Sequence, residues 1–313
     1  MKKELKNICF GAALLALLLG SCSNEDTPTP STGTEPFWSL ADLPQGDHEY
    51  DQRIVELSEK YNSVILYKFD INEFYWNVTS DIRWWGETRD TFHAGYVAEA
   101  ADENYVGELV KLLEEKIIAH FPDTLLTRTM PHKVLLLSKL EYASKISPLN
   151  KITWETVDAY SGYDYLAFNW ANADIEAFTP AMRTRFKSKG CAAFLNRLAD
   201  KELIERSSEF HDLTNYSASY STTSDYPSDA DITKLRQQGI INWSSRADQM
   251  LDWKDYVNAI TGSTLEQLEA EGGILNASFD KYRRIRAKYD LIVAHFKERY
   301  NIDLQAIGDD SEE

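Results

Sequence analysis

The stretch Gly190-Cys191-Ala192-Ala193-Phe194-Leu195-Asn196-Arg197-Leu198-Ala199-Asp200 decides how the rest of the chain is read. Phe194, Leu195 and Leu198 fall at i, i+1 and i+4, a single apolar stripe at helical period, so the spacing predicts a half-buried helix over 190–200. The segment follows a predicted strand over 163–171 (YDYLAFNWA) and a basic amphipathic run over 180–189. Read by itself it is an ordinary core helix, with Cys191 as a small buried residue.

Upstream of it, 47–61 has helical spacing and 63–69 (SVILYKF) is β-branched and aromatic, which reads as a strand. Residues 72–90 are an aromatic loop in which Phe74, Tyr75, Trp76, Trp84 and Trp85 form either a stacking platform for a sugar or peptide or a subsidiary core. Over 104–121, Val106, Leu109, Val110, Leu113, Ile117 and Phe121 share one helical face, and Pro122 closes the helix. Residues 133–140 (KVLLLSKL) read as a buried strand. Downstream, 209–227 is polar and reads as a long surface loop, followed by helical patterns over 231–238, 252–260, 264–270 and 279–300. The order predicts an α+β fold: a small mixed sheet, one helix lying across it, and a helical C-terminal half.

With 313 residues, 43% of them hydrophobic and 12% aromatic, the chain can bury a sizeable core and is not a disordered segment. A net charge of −17 argues against nucleic-acid binding, which depends on neutralising phosphates. The first 21 residues read as a targeting segment: Lys2, Lys3 and Lys6 precede an apolar run over 8–19 that is too short to span a bilayer stably. That run ends in Leu19-Gly20-Ser21-Cys22, which resembles a bacterial lipobox and implies cleavage before Cys22 and lipidation of its thiol. With Cys9 removed and Cys22 lipidated, only Cys191 is left, so no disulfide framework is expected. Residues 22–45 read as a lipid anchor and flexible tether, 46–308 as a single domain and 309–313 as an acidic tail. The acidic Ser23-Asn24-Glu25-Asp26 resembles an export tag for the outer face of the outer membrane.

Motifs that carry chemistry are missing. The chain has no GxxxxGK[ST], GxGxxG, GxSxG or HExxH, and no pair among His48, His93, His120, His132, His211 and His295 stands at i, i+4. Two imidazoles one helical turn apart are the simplest way to present ligands to zinc, and that arrangement does not occur.

The layout nevertheless resembles the zinc metallopeptidase-like lipoproteins associated with TonB-dependent substrate import in Gram-negative bacteria. The lipobox, Tyr61-Asn62 before the strand SVILYKFD, and Phe74-Tyr75-Trp76-Asn77 after it carry the resemblance. So do Gly239-Ile240-Ile241, Asp255-Tyr256-Val257 and the ending Tyr300-Asn301-Ile302-Asp303-Leu304. It implies a zincin-like fold whose helix after the last strand bears H-E-F-x-H. Laid over this chain, Phe194 and Leu198 match. Ala192 stands at the first histidine, Ala193 at the general-base glutamate and Asn196 at the second histidine. Ala199 stands at a further histidine, and the acidic E-D-F-x-E segment falls on Lys254-Asp255-Tyr256-Val257-Asn258. A second register, Ser208-Glu209-Phe210-His211-Asp212, keeps Glu209 but misplaces both ligands, and Glu209 and His211 read as loop residues.

Alanine has no lone pair for a metal, and without a carboxylate at Ala193 nothing on this helix deprotonates a metal-bound water. The leading expectation is a pseudoenzyme: a lipid-anchored outer-membrane protein, facing the cell surface, that acts as a binding or accessory component beside a TonB-dependent importer. No cofactor is expected, the family's being zinc. Two alternatives stand beside it. One is an active metallohydrolase with atypical ligands drawn from Glu209, His211 and Asp255. The other is a glycan- or peptide-binding surface lipoprotein, with Tyr75, Trp76, Trp84 and Trp85 lining a groove.

Overall fold

A computed structural model describes residues 38–78, 81–86, 92–146, 151–222 and 226–312. The leader, Cys22 and most of the tether lie outside the described residues, and Trp38–Glu313 forms one compact unit. Among the described residues no helix is long and apolar enough to cross a membrane.

The sheet is built on one long strand. Helix α1 (Glu49–Tyr61) leads into β1 (Val64–Leu66), the short helix α2 (Asn72–Tyr75), β2 (Gly95–Ala100), α3 (Val106–Lys116) and α4 (Asp123–Thr129). Then come β3 (Lys133–Ile146), β4 (Lys151–Thr156), β5 (Ala159–Ser161) and β6 (Tyr165–Phe168). The first residues of β3 pair in parallel with β1 and β6, and β5 closes that edge antiparallel to β6. Further along, β3 pairs antiparallel with β2 and β4. The change of partners follows the sequence. Val134, Leu135, Leu136 and Leu137 are all buried, as a strand covered on both faces requires, whereas 138–145 mix polar and apolar residues. Strands β2, β4 and β5 were not legible in the sequence, because GYVAEA and KITWET lack an unbroken apolar run.

One face of the sheet is covered by α1, α3 and α5 (Pro180–Asp200) through Ile54, Leu113, Phe186, Phe194 and Leu198. The basic run and the apolar stripe are thus one 21-residue helix, started by Pro180 with Thr179 Oγ1 accepting from the Met182 amide. Gly190 sits where α5 crosses the end of α3: a Cβ there would lie 2.3 Å from Ile117 Cδ1 and 3.3 Å from Phe168 Cε1, so a larger residue would need the Ile117 side chain to move. The other face is covered by Phe74 and Tyr75 of α2 against Leu135, Tyr165 and Ala167. The aromatic segment is therefore in part a second, smaller core.

The second half is helical: α6 (Ser208–Asp212), α7 (Asp229–Gln237), α8 (Gln249–Thr261), α9 (Leu265–Glu269), α10 (Arg284–Tyr300) and α11 (Leu304–Asp309). The stretch expected to be one surface loop from residue 209 instead begins in α6. Phe210 is fully buried there, its ring 5.2 Å from Trp253 and 5.0 Å from Tyr256. The residues set apart in sequence as an acidic tail pack back on the domain. Lys116 Nζ lies 2.7 Å from Glu312 Oε1, the Glu312 amide donates to Thr184 Oγ1 at 3.1 Å, and buried Lys187 donates to the carbonyls of Ile307 and Asp310.

Candidate functional site

On the side of α5 toward the β4–β5 turn, Ser188, Ala192 and Asn196 repeat at every fourth position, with Lys189 and Ala193 beside them. They form the floor of a cleft of about 330 Å³. Glu155, Thr156, Val157, Asp158 and Ala159, where β4 turns into β5, make one wall, and Asn258 and Gly262 of α8 make the end. Ala192, Ala193 and Asn196, the positions singled out in the sequence, thus line an open cleft, and α8 adds Asn258. Asn196 Nδ2 donates to Asn258 Oδ1 at 2.9 Å, while Asn196 Oδ1 is buried without a hydrogen-bond partner among the described residues.

The donor set does not suit zinc. The helices offer two methyl groups and two amides bonded to each other, and of the two carboxylates on the opposite wall Asp158 is taken by Arg185 and Trp170, so three N, O or S ligands do not converge. Among the described residues no group of three or more His, Cys, Asp or Glu side chains is placed to hold a metal ion.

The wall beside β5 is rigid. Asp158, 3% exposed, takes Arg185 Nε at 3.0 Å and Arg185 Nη2 at 3.0 Å on its two oxygens, and Trp170 Nε1 donates to it at 2.7 Å. Trp170 holds φ of 89°, a left-handed conformation that costs a bulky residue of order 1–3 kcal/mol. This conformation is also why the strand expected to run to residue 171 stops at Phe168.

No protein-family model matches the chain, and no curated protein matches it in sequence. One solved structure is similar in fold. It is described as "a putative zinc-binding metallo-peptidase from Bacteroides caccae ATCC 43185", and the match covers 83% of this chain and 88% of that one at 10% identity, with a TM-score of 0.49.

The alternative ligands do not converge. Glu209 accepts from Ser207 Oγ at 3.0 Å and Ser208 Oγ at 3.4 Å at the start of its own helix. Asp255 is held by Ser245 Oγ and by Asn242 Nδ2 at 3.5 Å, and burial raises its pKa. His211, expected on the surface, is half-buried, with Nδ1 3.0 Å from Tyr216 OH. Burial, together with the positive charges of Arg206 and Lys288, lowers its pKa to about 4. Tyr216 OH in turn donates to Asp252, which pairs with Lys288, both side chains fully buried. Lys288 is brought down to about 8 by burial, against the pull of Asp252.

The proposed groove aromatics divide. Tyr75 is buried, its hydroxyl accepting from the Ala98 amide at 2.7 Å, so it lines no groove. Trp84 packs edge-to-face on Trp154 with centroids 4.7 Å apart, and Trp85 stacks over the Arg83 guanidinium at 4.7 Å. Trp76 lines a second cleft, of about 210 Å³, together with Tyr160, Tyr163, Asp200 and Lys201. Sequence reasoning missed Asp158, Arg185, Trp170 and Tyr163. None sits in a motif, and what joins them is packing between distant segments.

Proposed function

We propose that this chain is a lipid-anchored, non-catalytic binding protein that keeps a zincin-like scaffold and uses the old catalytic cleft as a ligand groove. One observation carries the reading: Ala192, Ala193, Asn196 and Asn258 line one open cleft, and the two amides bond to each other where a metalloenzyme would present ligands. A helix laid on a mixed sheet beside an antiparallel edge strand, with the facing helix supplying a further cleft residue, is the arrangement such a scaffold needs. Lipidation at Cys22, outer-membrane placement and an accessory role beside a TonB-dependent importer complete the proposal. Their support is the Leu19-Gly20-Ser21-Cys22 box and the acidic residues after it.

The decisive experiment measures zinc by plasma mass spectrometry on the full chain and on a variant carrying Ala192→His, Ala193→Glu, Asn196→His and Asn258→Glu. The native chain is expected to hold well under one zinc and to leave oxidised insulin B chain uncut, while the variant takes up about one zinc per chain. A native chain with one tightly held zinc would sink the proposal. Cys22→Ser should move the chain from the membrane fraction to the soluble fraction, and its staying in the membrane would remove the anchoring claim.

A further inference from the structure

The second cleft begins one residue further along β5 and one helical turn further along α5 than the first: Ala159 and Asn196 line the first, Tyr160 and Asp200 the second. Ala159 and Tyr160 are consecutive in the strand and pack on opposite faces of the sheet, so the second cleft is separate from the first. What distinguishes the second is a pair of exposed aromatics. Trp76 is 52% exposed and Tyr163 50% exposed, with centroids 5.5 Å apart at 75°.

Neither ring has a core role, yet the loop under Tyr163 is firmly held. Arg197, 6% exposed, reaches out of α5 to donate Nη1 to the Gly162 carbonyl at 3.0 Å and to the Tyr163 carbonyl at 3.3 Å. Burying a guanidinium is costly unless it is well bonded, and burial lowers the Arg197 pKa. A surface loop fixed this way presents its aromatic side chain already ordered, which removes part of the entropic cost of binding.

The charges in the cleft are already engaged. Asp200 pairs with Lys254 at 2.6 Å, and Lys201 Nζ sits 4.4 Å from the Tyr163 ring centroid. Asp200 and Lys201 put one charge of each sign in the cleft, which favours neither an anion nor a cation, so a neutral ligand suits it. Asn77 and Ser161 add amide and hydroxyl groups to the lining. The volume falls below the roughly 300–1,000 Å³ of drug-sized pockets and suits one sugar ring. Exposed aromatic rings for the C–H groups of a pyranose, with the Asn77 amide and the Ser161 hydroxyl beside them, suit a saccharide.

We infer that the Trp76–Tyr163 cleft is a binding site for a neutral saccharide. The inference extends the binding role proposed above, but its test does not involve metal, so the two fail separately. Maltohexaose, cellohexaose, chitohexaose and mannohexaose are titrated into the full chain by calorimetry, with oxidised insulin B chain as the peptide comparison. At least one saccharide should bind with millimolar or better affinity, and Trp76→Ala and Tyr163→Ala should each weaken it about tenfold or more. Trp85→Ala, an exposed tryptophan outside the cleft, should leave it unchanged, and unaltered melting curves show that all three variants fold. Three results would overturn the inference: no binding by any of the four sugars, binding unaffected by Trp76→Ala, or binding of the insulin chain alone.

Discussion

Asn196 of α5 donates its side-chain amide to Asn258 of α8 at 2.9 Å, joining two helices whose facing positions line one cleft. Asn258 is exposed and Asn196 half-buried, so water can take the place of a lost partner and the bond contributes modestly. Asn258→Leu should lower stability by about 0.5–1 kcal/mol in urea unfolding, and Asn196→Leu with Asn258→Leu should recover part of it. Equal losses in single and double variants would show that the bond contributes nothing.

Lys288 and Asp252 form an ion pair with no exposed side-chain surface, the Lys288 Nζ 4.1 Å from the Phe210 ring centroid and 3.1 Å from Thr214 Oγ1. Removing one partner leaves the other buried and uncompensated. Lys288→Met is expected to cost about 3–5 kcal/mol, seen as a lower urea midpoint at unchanged slope. Lys288→Met with Asp252→Leu should be far milder, because no buried charge is left.

The His211 pKa of about 4, against an ordinary 6.5, makes stability depend on pH. The folded chain binds fewer protons here than the unfolded chain, so this contribution is complete above pH 6.5 and is lost as pH falls toward about 4. His211→Gln should flatten the stability profile over that window while leaving the profile above pH 7 parallel to the native one. A native profile equally steep in the variant would assign the acid sensitivity to other groups.

Gly190 and Ile117 touch at the α3–α5 crossing. Gly190→Ala should destabilise the chain by about 1–3 kcal/mol, since its Cβ meets Ile117 Cδ1 at 2.3 Å and Phe168 Cε1 at 3.3 Å. Adding Ile117→Val, which removes that methyl, should restore part of the loss. A double-mutant cycle with no coupling would mean that the helices simply move apart.

The amino-acid sequence alone determined the fold class. The buried run at 134–137, the apolar stripe of α5 and the helical periods after residue 229 each follow from local hydrophobic spacing. It also determined that positions 192, 193 and 196 carry two methyl groups and an amide, because a side chain's chemistry belongs to its identity. Tertiary structure decided everything that depends on distant segments meeting. It placed Asn258 against Asn196 and half-buried His211 beside Tyr216. It sent Tyr75 into a core while leaving Trp76 in water. Tyr75 and Trp76 are adjacent and alike in composition. What separates them is that α2 packs across the sheet: Tyr75 lies against the core beneath Ala98, and Trp76, at the helix end, turns outward beside Tyr163. The helix at 190–200 is therefore both a core element, as its spacing predicts, and the floor of a cleft, which only the approach of α8 and the β4–β5 turn creates.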